Sequence, residues 1–174
     1  PPQWAELGEQ ASLPRRWLDY EEYFRRGSQG NVETKRGCSG SCIYCADHHS
    51  KGNRSRERNP AAVVDEIERL LALDIDCLHL CDSEFNMPAD HAMRVCRQIV
   101  DRGLGDQLQW YAYLSPQPFS GELAELMGRA GCVGIDFGLD SGDEQMLQRL
   151  GRDFTPPQAA EAVHVCREEG IVVM

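Results

Sequence analysis

The sequence predicts an α/β fold: a parallel sheet, closed or partly closed into a barrel by right-handed crossovers, with about four and a half βα units present. Short extended runs alternate with helical runs from residue 31 onward, and the links between them are short. Helix-capping residues open the helical runs and glycines end them. The units share architecture without a short-period sequence repeat.

Residues 1–29 mix Pro, Gly and charge with an aromatic segment from Trp17 to Phe24, and read as a lead-in segment or a linker from an upstream domain; 30–174 is the core domain. A first strand is expected over 31–35, running directly into a cysteine-rich loop. The next helix is signalled by Asn59 as cap, Pro60 at the first helical position, and Val63, Val64, Ile67, Leu70 and Leu71 on one face. A strand over 76–81 follows, then a helix over 88–102 with Ala92, Cys96 and Ile99 on one face before Gly103. The third strand is expected over 108–114, and the helix after it is capped by Ser120, carries Leu123, Leu126 and Met127, and stops at Gly131. A fourth strand over 132–139, a short helical piece over 143–150 and a longer helix over 155–169 lead through Gly170 to a fifth strand at 171–174, which the end of the chain interrupts.

At 174 residues and 41% hydrophobic, the chain suits one globular domain with a sizeable core. It contains neither a run of eighteen apolar residues nor a charged-then-apolar leader, so a membrane span and a secretory signal are not expected and the compartment reads as cytoplasmic. A net charge of −10 makes nucleic acid an unfavourable partner, because nonspecific binding to phosphate backbones needs clustered Lys and Arg. Lys51, Arg54, Arg56 and Arg58 form one local basic cluster, read as a solvated loop, with steering of an anionic substrate or a flavoprotein as the alternative. Of eight cysteines, Cys77, Cys81, Cys96, Cys132 and Cys166 lie scattered in apolar-periodic segments and read as reduced packing residues.

The other cysteines carry the chemistry. Cys38, Cys42 and Cys45 are separated by three and then two residues in a loop kept flexible by Gly37 and Gly40. Thiolates spaced this way can converge on one soft metal centre. With three ligands rather than four, a cuboidal iron-sulfur cluster keeps one iron free to bind and activate a small molecule. A Cys3His zinc site completed by His48 or His49 is the competing reading.

This spacing, with Tyr44 just before the last cysteine, resembles the radical S-adenosylmethionine (radical SAM) superfamily. The resemblance implies a partial (β/α)6 radical SAM barrel, TIM-like, with one [4Fe-4S] cluster on Cys38, Cys42 and Cys45 at the carboxyl end of the first strand. It also implies S-adenosylmethionine (SAM) chelated at the open iron and cleaved reductively to a 5′-deoxyadenosyl radical, with the electron delivered by a partner such as flavodoxin or ferredoxin. Tyr44 would then shield the cluster near the adenine. Glu84, in Cys81-Asp-Ser-Glu-Phe-Asn86, aligns with the glutamate of the family's Gly-Gly-Glu segment, which receives the SAM ammonium; Asp82 and Ser83 replace the two glycines and would add acceptors. Gly138-Leu-Asp-Ser-Gly142 resembles the ribose-binding Gly-x-Glu-Ser segment, giving Asp140 and Ser141 to the ribose hydroxyls, and Arg152 matches a basic position that could pair with the methionyl carboxylate.

Substrate contacts are less legible. Tyr111, Tyr113 and Ser115 fall at the end of the third strand where a small-molecule or peptide substrate would lie, His79 and His164 read as packed, and His91 as exposed on its helix. The turn after Cys81, the Gly-Leu-Asp-Ser segment and Gln-Ala-Ala-Glu-Ala-Val in the last helix look most like the cobalamin (B12)-dependent branch, which includes methyltransferases. No Asp-x-His-x-x-Gly segment occurs, so cobalamin would be held by a domain outside this chain. Two further readings stay open: a zinc-stabilised α/β binding module, and an iron-sulfur electron carrier without a SAM site.

Overall fold

The computed structural model describes Leu7, Trp17 and residues 19–174; the rest of the expected lead-in or linker, before Asp19, lies outside the described residues. The aromatic segment becomes α1 (Tyr20–Arg25), capped by the Asp19 carboxylate on the Glu22 amide. The elements that follow are β1 (Gly30–Val32), β2 (Lys35–Arg36), α2 (Asp47–Ser50), β3 (Arg56–Glu57), α3 (Pro60–Leu71), β4 (Cys77–Leu80), α4 (Ala89–Asp101), β5 (Gln109–Leu114), α5 (Gly121–Arg129), β6 (Cys132–Phe137), α6 (Glu144–Leu150), α7 (Pro156–Glu168) and β7 (Val172–Val173).

Five strands form one parallel sheet in the order β1-β4-β5-β6-β7, so each new strand is laid beside its predecessor, as expected for βα repetition. The helix starts follow the sequence signals. Asn59 accepts from the Ala61 amide, Ser120 from Leu123, Asp143 from Met146, and Thr155 and Gln158 form a capping box on α7. Pleating divides the sheet into two faces: Leu78, Leu80, Trp110, Ala112 and Leu114 point into the helices and are buried, whereas His79, Tyr111 and Tyr113 alternate to the other side. Against the buried face pack Val63, Val64, Ile67 and Leu70 of α3, Val95, Cys96 and Ile99 of α4, and Leu123 and Met127 of α5. Each such aliphatic side chain, fully withdrawn from water, contributes about 1.5–3 kcal/mol. The carboxyl ends of β1, β4 and β6 consequently open on one edge of the sheet.

The first strand departs from expectation. Instead of running over 31–35, β1 stops at Val32, and Lys35 and Arg36 pair antiparallel with Arg56 and Glu57 in a separate β2/β3 hairpin. The cause lies on another strand: Asp82, just past β4, accepts from the Thr34 amide (2.8 Å), the Lys35 amide (3.2 Å) and the Thr34 hydroxyl (2.5 Å), turning the chain out of the sheet. The hairpin also corrects the basic cluster. Arg56 is buried and donates to the Lys51 carbonyl, Arg58 pairs with Glu66 at 2.7 Å, and Lys51 lies 3.3 Å from Asp47, so the cluster is built into internal contacts.

Three further expectations change. His91 is fully buried rather than exposed, because the first turn of α4 abuts the hairpin and its Nε2 lies 3.1 Å from both the carbonyl and the hydroxyl of Thr34. His164 is exposed on α7 rather than packed, 3.4 Å from Glu168. Cys96, Cys132 and Cys166 are core residues, but Cys77 and Cys81 are only half-buried, on the same face of β4 as His79.

Candidate functional site

The cysteine loop begins where β2 ends. Gly37 must be glycine: its φ is +95°, and a Cβ there would lie 2.2 Å from the Arg54 carbonyl oxygen. Past it, the Gly40 amide donates to Cys38 Sγ and the Asp47 amide to Cys45 Sγ, both at 3.4 Å, while the Cys45 amide bonds the Cys42 carbonyl at 3.2 Å. All three thiols are free and half-buried. A Cβ at Gly40 would sit 3.3 Å from Cys38 Sγ and 3.9 Å from Cys42 Sγ, so the loop is a cradle that a side chain would obstruct. Burial pushes the Cys38 thiol up, which makes the apo form hold its proton and leaves thiolate formation to an arriving metal.

The far side of the cradle is formed by β4 and β6. Glu84 is buried to 14% side-chain exposure, with Oε2 making no hydrogen bond. Burial pushes its carboxyl up to about 7, against the opposing pull of Arg152 and Lys35. Asp140 follows β6 with φ +57°, a left-handed conformation that aspartate tolerates better than most residues, and accepts from the Tyr44 hydroxyl at 2.6 Å. That aromatic ring stays exposed at the rim, and burial of its hydroxyl followed by the Asp140 hydrogen bond holds its pKa above the ordinary tyrosine value. Arg152 lies between these groups, with Nη1 3.2 Å from Cys42 Sγ and 3.7 Å from Glu84, and Nε 3.1 Å from Asp140. Glu84, Asp140 and Arg152 are thus brought from three different segments to the cysteine loop, which itself carries Tyr44.

Not every expected residue arrives. Both oxygens of Asp82 face Thr34 and Lys35, and the residue is 2% exposed, so it braces the hairpin instead of offering acceptors to a ligand. Ser83 donates to Asp47 at 2.6 Å and receives Lys51 at 3.2 Å, tying α2 to the turn after β4. Ser141 turns its hydroxyl to the Asp143 amide. Ser115 is buried with its amide and carbonyl both on Asn86, whereas Tyr111 stacks flat on His79 at 4.4 Å and Tyr113 is exposed. The closed zinc alternative meets one obstacle: His48 Nε2, one of its candidate ligand atoms, bonds the Gly40 carbonyl at 2.6 Å.

The model of the Radical SAM superfamily matches residues 32–174. The chain belongs to the radical SAM superfamily. It is 34% identical over 169 residues to the tryptophan 2-C-methyltransferase of Streptomyces laurentii, covering 90% of this chain and 28% of that protein. It is 30% identical over 138 residues to the cytidylyl-2-hydroxyethylphosphonate methyltransferase of Streptomyces wedmorensis, covering 75% of this chain and 24% of that protein. Among solved structures, the radical SAM methyltransferase TsrM from Kitasatospora setae, with cobalamin and a [4Fe-4S] cluster bound, superposes with a TM-score of 0.86 at 35% identity, over 97% of this chain and 32% of that one. The chain therefore spans about a third or less of the length of these relatives. Its parallel sheet is part of a radical SAM barrel wall.

Within this radical SAM domain the site residues that the sequence did not disclose are Thr34, Lys35, His91 and Gly151, each fixed by a partner remote in the chain. Glu84 carries a pH prediction. Its folded pKa, about 7, lies above its ordinary 4.5, so the native chain holds the extra proton. The resulting stabilisation is complete below pH 4.5 and lost as pH rises through about 7, amounting to at most about 3 kcal/mol. Urea unfolding of the metal-free chain at pH 5 and pH 8 should show that Glu84→Gln removes this part of the decline; equal declines in both proteins would refute it.

Proposed function

We propose that the chain is the core of a cobalamin-dependent radical SAM methyltransferase that acts on a small-molecule substrate, with cobalamin held by a domain outside these residues. The observation that carries this is the three-thiol cradle at the carboxyl edge of a parallel sheet, faced by the carboxylates of Glu84 and Asp140. Support for the branch comes from the tryptophan 2-C-methyltransferase and TsrM, which match nearly the whole chain.

Cys38, Cys42 and Cys45 would hold the [4Fe-4S] cluster, and SAM would bind beside it. A bound cluster supplies a low-potential electron, and bound SAM supplies the radical or methyl group that the reaction consumes. Glu84, buried and with one oxygen unengaged, would accept from the N–H of the SAM amino group. Asp140 receives the ribose, and Tyr44 covers the rim beside it. Tyr111, Tyr113 and His79, on the face away from the helices, offer an aromatic wall to substrate. Flavodoxin or ferredoxin delivers the electron. No helix among the described residues is long and apolar enough to cross a membrane, and the free thiols suit a cytoplasmic compartment.

The test is electron paramagnetic resonance on the anaerobically reconstituted, dithionite-reduced full-length protein, with and without SAM. A [4Fe-4S]+ signal altered by SAM is the expected result. A cluster signal indifferent to SAM would favour an electron carrier, and zinc without iron would end the enzyme reading.

A further inference from the structure

The carboxyl end of α6 is seated on the cysteine loop. Ile43 donates its amide to the Leu150 carbonyl at 3.0 Å, and the Ser41 hydroxyl lies 3.5 Å from the Gly151 carbonyl. Gly151 caps α6 at φ +75°, and a Cβ there would meet the Ser41 carbonyl oxygen at 2.6 Å and Cys42 Cα at 3.5 Å. Immediately after this close approach, Arg152 enters the site at 8% side-chain exposure, with its guanidinium over the Phe154 ring at 5.2 Å. Nη1 donates to Cys42 Sγ at 3.2 Å, and Nη2 donates to the Gly138 carbonyl at the carboxyl end of β6. The guanidinium that the sequence assigned to the methionyl carboxylate is therefore already engaged by a sulfur and a backbone carbonyl.

We propose that Arg152 is a positioning residue which locks Cys42 to the Gly138–Ser141 loop and raises the reduction potential of the cluster through its donation to Cys42 sulfur. The inference rests on the cluster reading above and adds a task for Arg152 at the cluster itself. Reduction adds one negative charge to the cluster. A cation donating to a ligating sulfur stabilises that added charge, and at this depth water screens it little. The other charged groups facing Arg152 are Glu84 and Asp140, both acidic, so the guanidinium is the positive member of the set. Because the same side chain holds the end of β6, a shift at the Gly138–Ser141 loop is transmitted to the cluster ligand.

The experiment is a redox titration of the anaerobically reconstituted full-length protein, followed by electron paramagnetic resonance, with SAM left out and iron and sulfide measured in every sample. At the wild-type midpoint, Arg152→Met should show a ratio of reduced to oxidised cluster about tenfold lower, which is about 59 mV for one electron. Arg152→Lys should fall between the two. An Arg152→Met protein with full iron and the wild-type midpoint overturns the proposal. Should that variant lose its iron, Arg152→Gln keeps an N–H donor without the charge: a more negative midpoint supports the proposal, and an unchanged one overturns it. Loss of iron in both with an unaltered urea midpoint supports the positioning role, whereas loss of iron together with loss of fold shows a merely structural residue and overturns it. A wild-type protein that takes up no four-iron cluster refutes the functional reading itself, so the two failures are distinguishable.

Discussion

Asp82→Ala is expected to destabilise the chain by about 3–5 kcal/mol, the range found when one member of a buried ion pair is removed. Lys35 Nζ lies 3.8 Å from the Asp82 carboxylate, and the two side chains are 1% and 0% exposed. The variant strands a buried ammonium whose other contact is the Glu84 carbonyl at 2.6 Å, and orphans the Thr34 amide. Native domains are stable by only about 5–15 kcal/mol, so the loss consumes a large share of the total. Urea unfolding of the metal-free chain measures it. Asp82→Asn keeps an acceptor for the Thr34 amide but not the charge, and should fall between wild type and Ala. The damage should also reach the site, since Thr34 and Lys35 lead the chain into the cysteine loop: iron uptake by Asp82→Asn should be incomplete even at temperatures where the protein stays folded. Wild-type stability in Asp82→Ala would show that Lys35 is accommodated some other way, and that the early end of β1 has a cause other than the Asp82 carboxylate.

The same residue shows where sequence reasoning ended. Helices and strands were legible because their signals are local: Asn59, Ser120 and Asp143 cap within three residues, and strand alternation needs only neighbours. The cysteine spacing was legible for the same reason. Asp82 looked like a ligand because a carboxylate in the turn after a strand serves equally for binding and bracing; its choice depends on Thr34, 48 residues away. His91 looked exposed because its own helix says nothing of the hairpin placed on it by a contact 57 residues distant. Arg152 and Cys42 are 110 residues apart, and only the folded chain brings them together. A partial signal did exist at Gly151, since a glycine ending a short helix directly before a buried arginine marks a place where backbones approach closely. The expected elements and their order survived with shifts of one or two residues at their ends, apart from the first strand, whose course is set by a side chain outside itself.

Replacing any one of Cys38, Cys42 or Cys45 by Ala should reduce iron from about four per chain to well under one, and with it every SAM-dependent spectral change. The effect is all-or-none because a cube held by two thiolates has two irons open to exchange, and no spare thiol stands ready in the loop. One alternative on the sheet is Cys81, half-buried just past the carboxyl end of β4, where its thiol donates to the Val32 carbonyl at 3.4 Å and burial pushes its pKa up to about 11. A thiol so reluctant to ionise is a poor substitute ligand. Cys81→Ser should therefore retain full iron, as should Cys96→Ala, whose fully buried side chain is a packing group, so that its loss lowers stability rather than cofactor content. Iron analysis and visible absorption of the anaerobically reconstituted variants decide the matter. Full iron in Cys42→Ala with loss in Cys81→Ser would move the cluster off the loop, and with it the geometry on which Arg152 acts; zinc retained in all three loop variants would show that no loop thiol is a metal ligand.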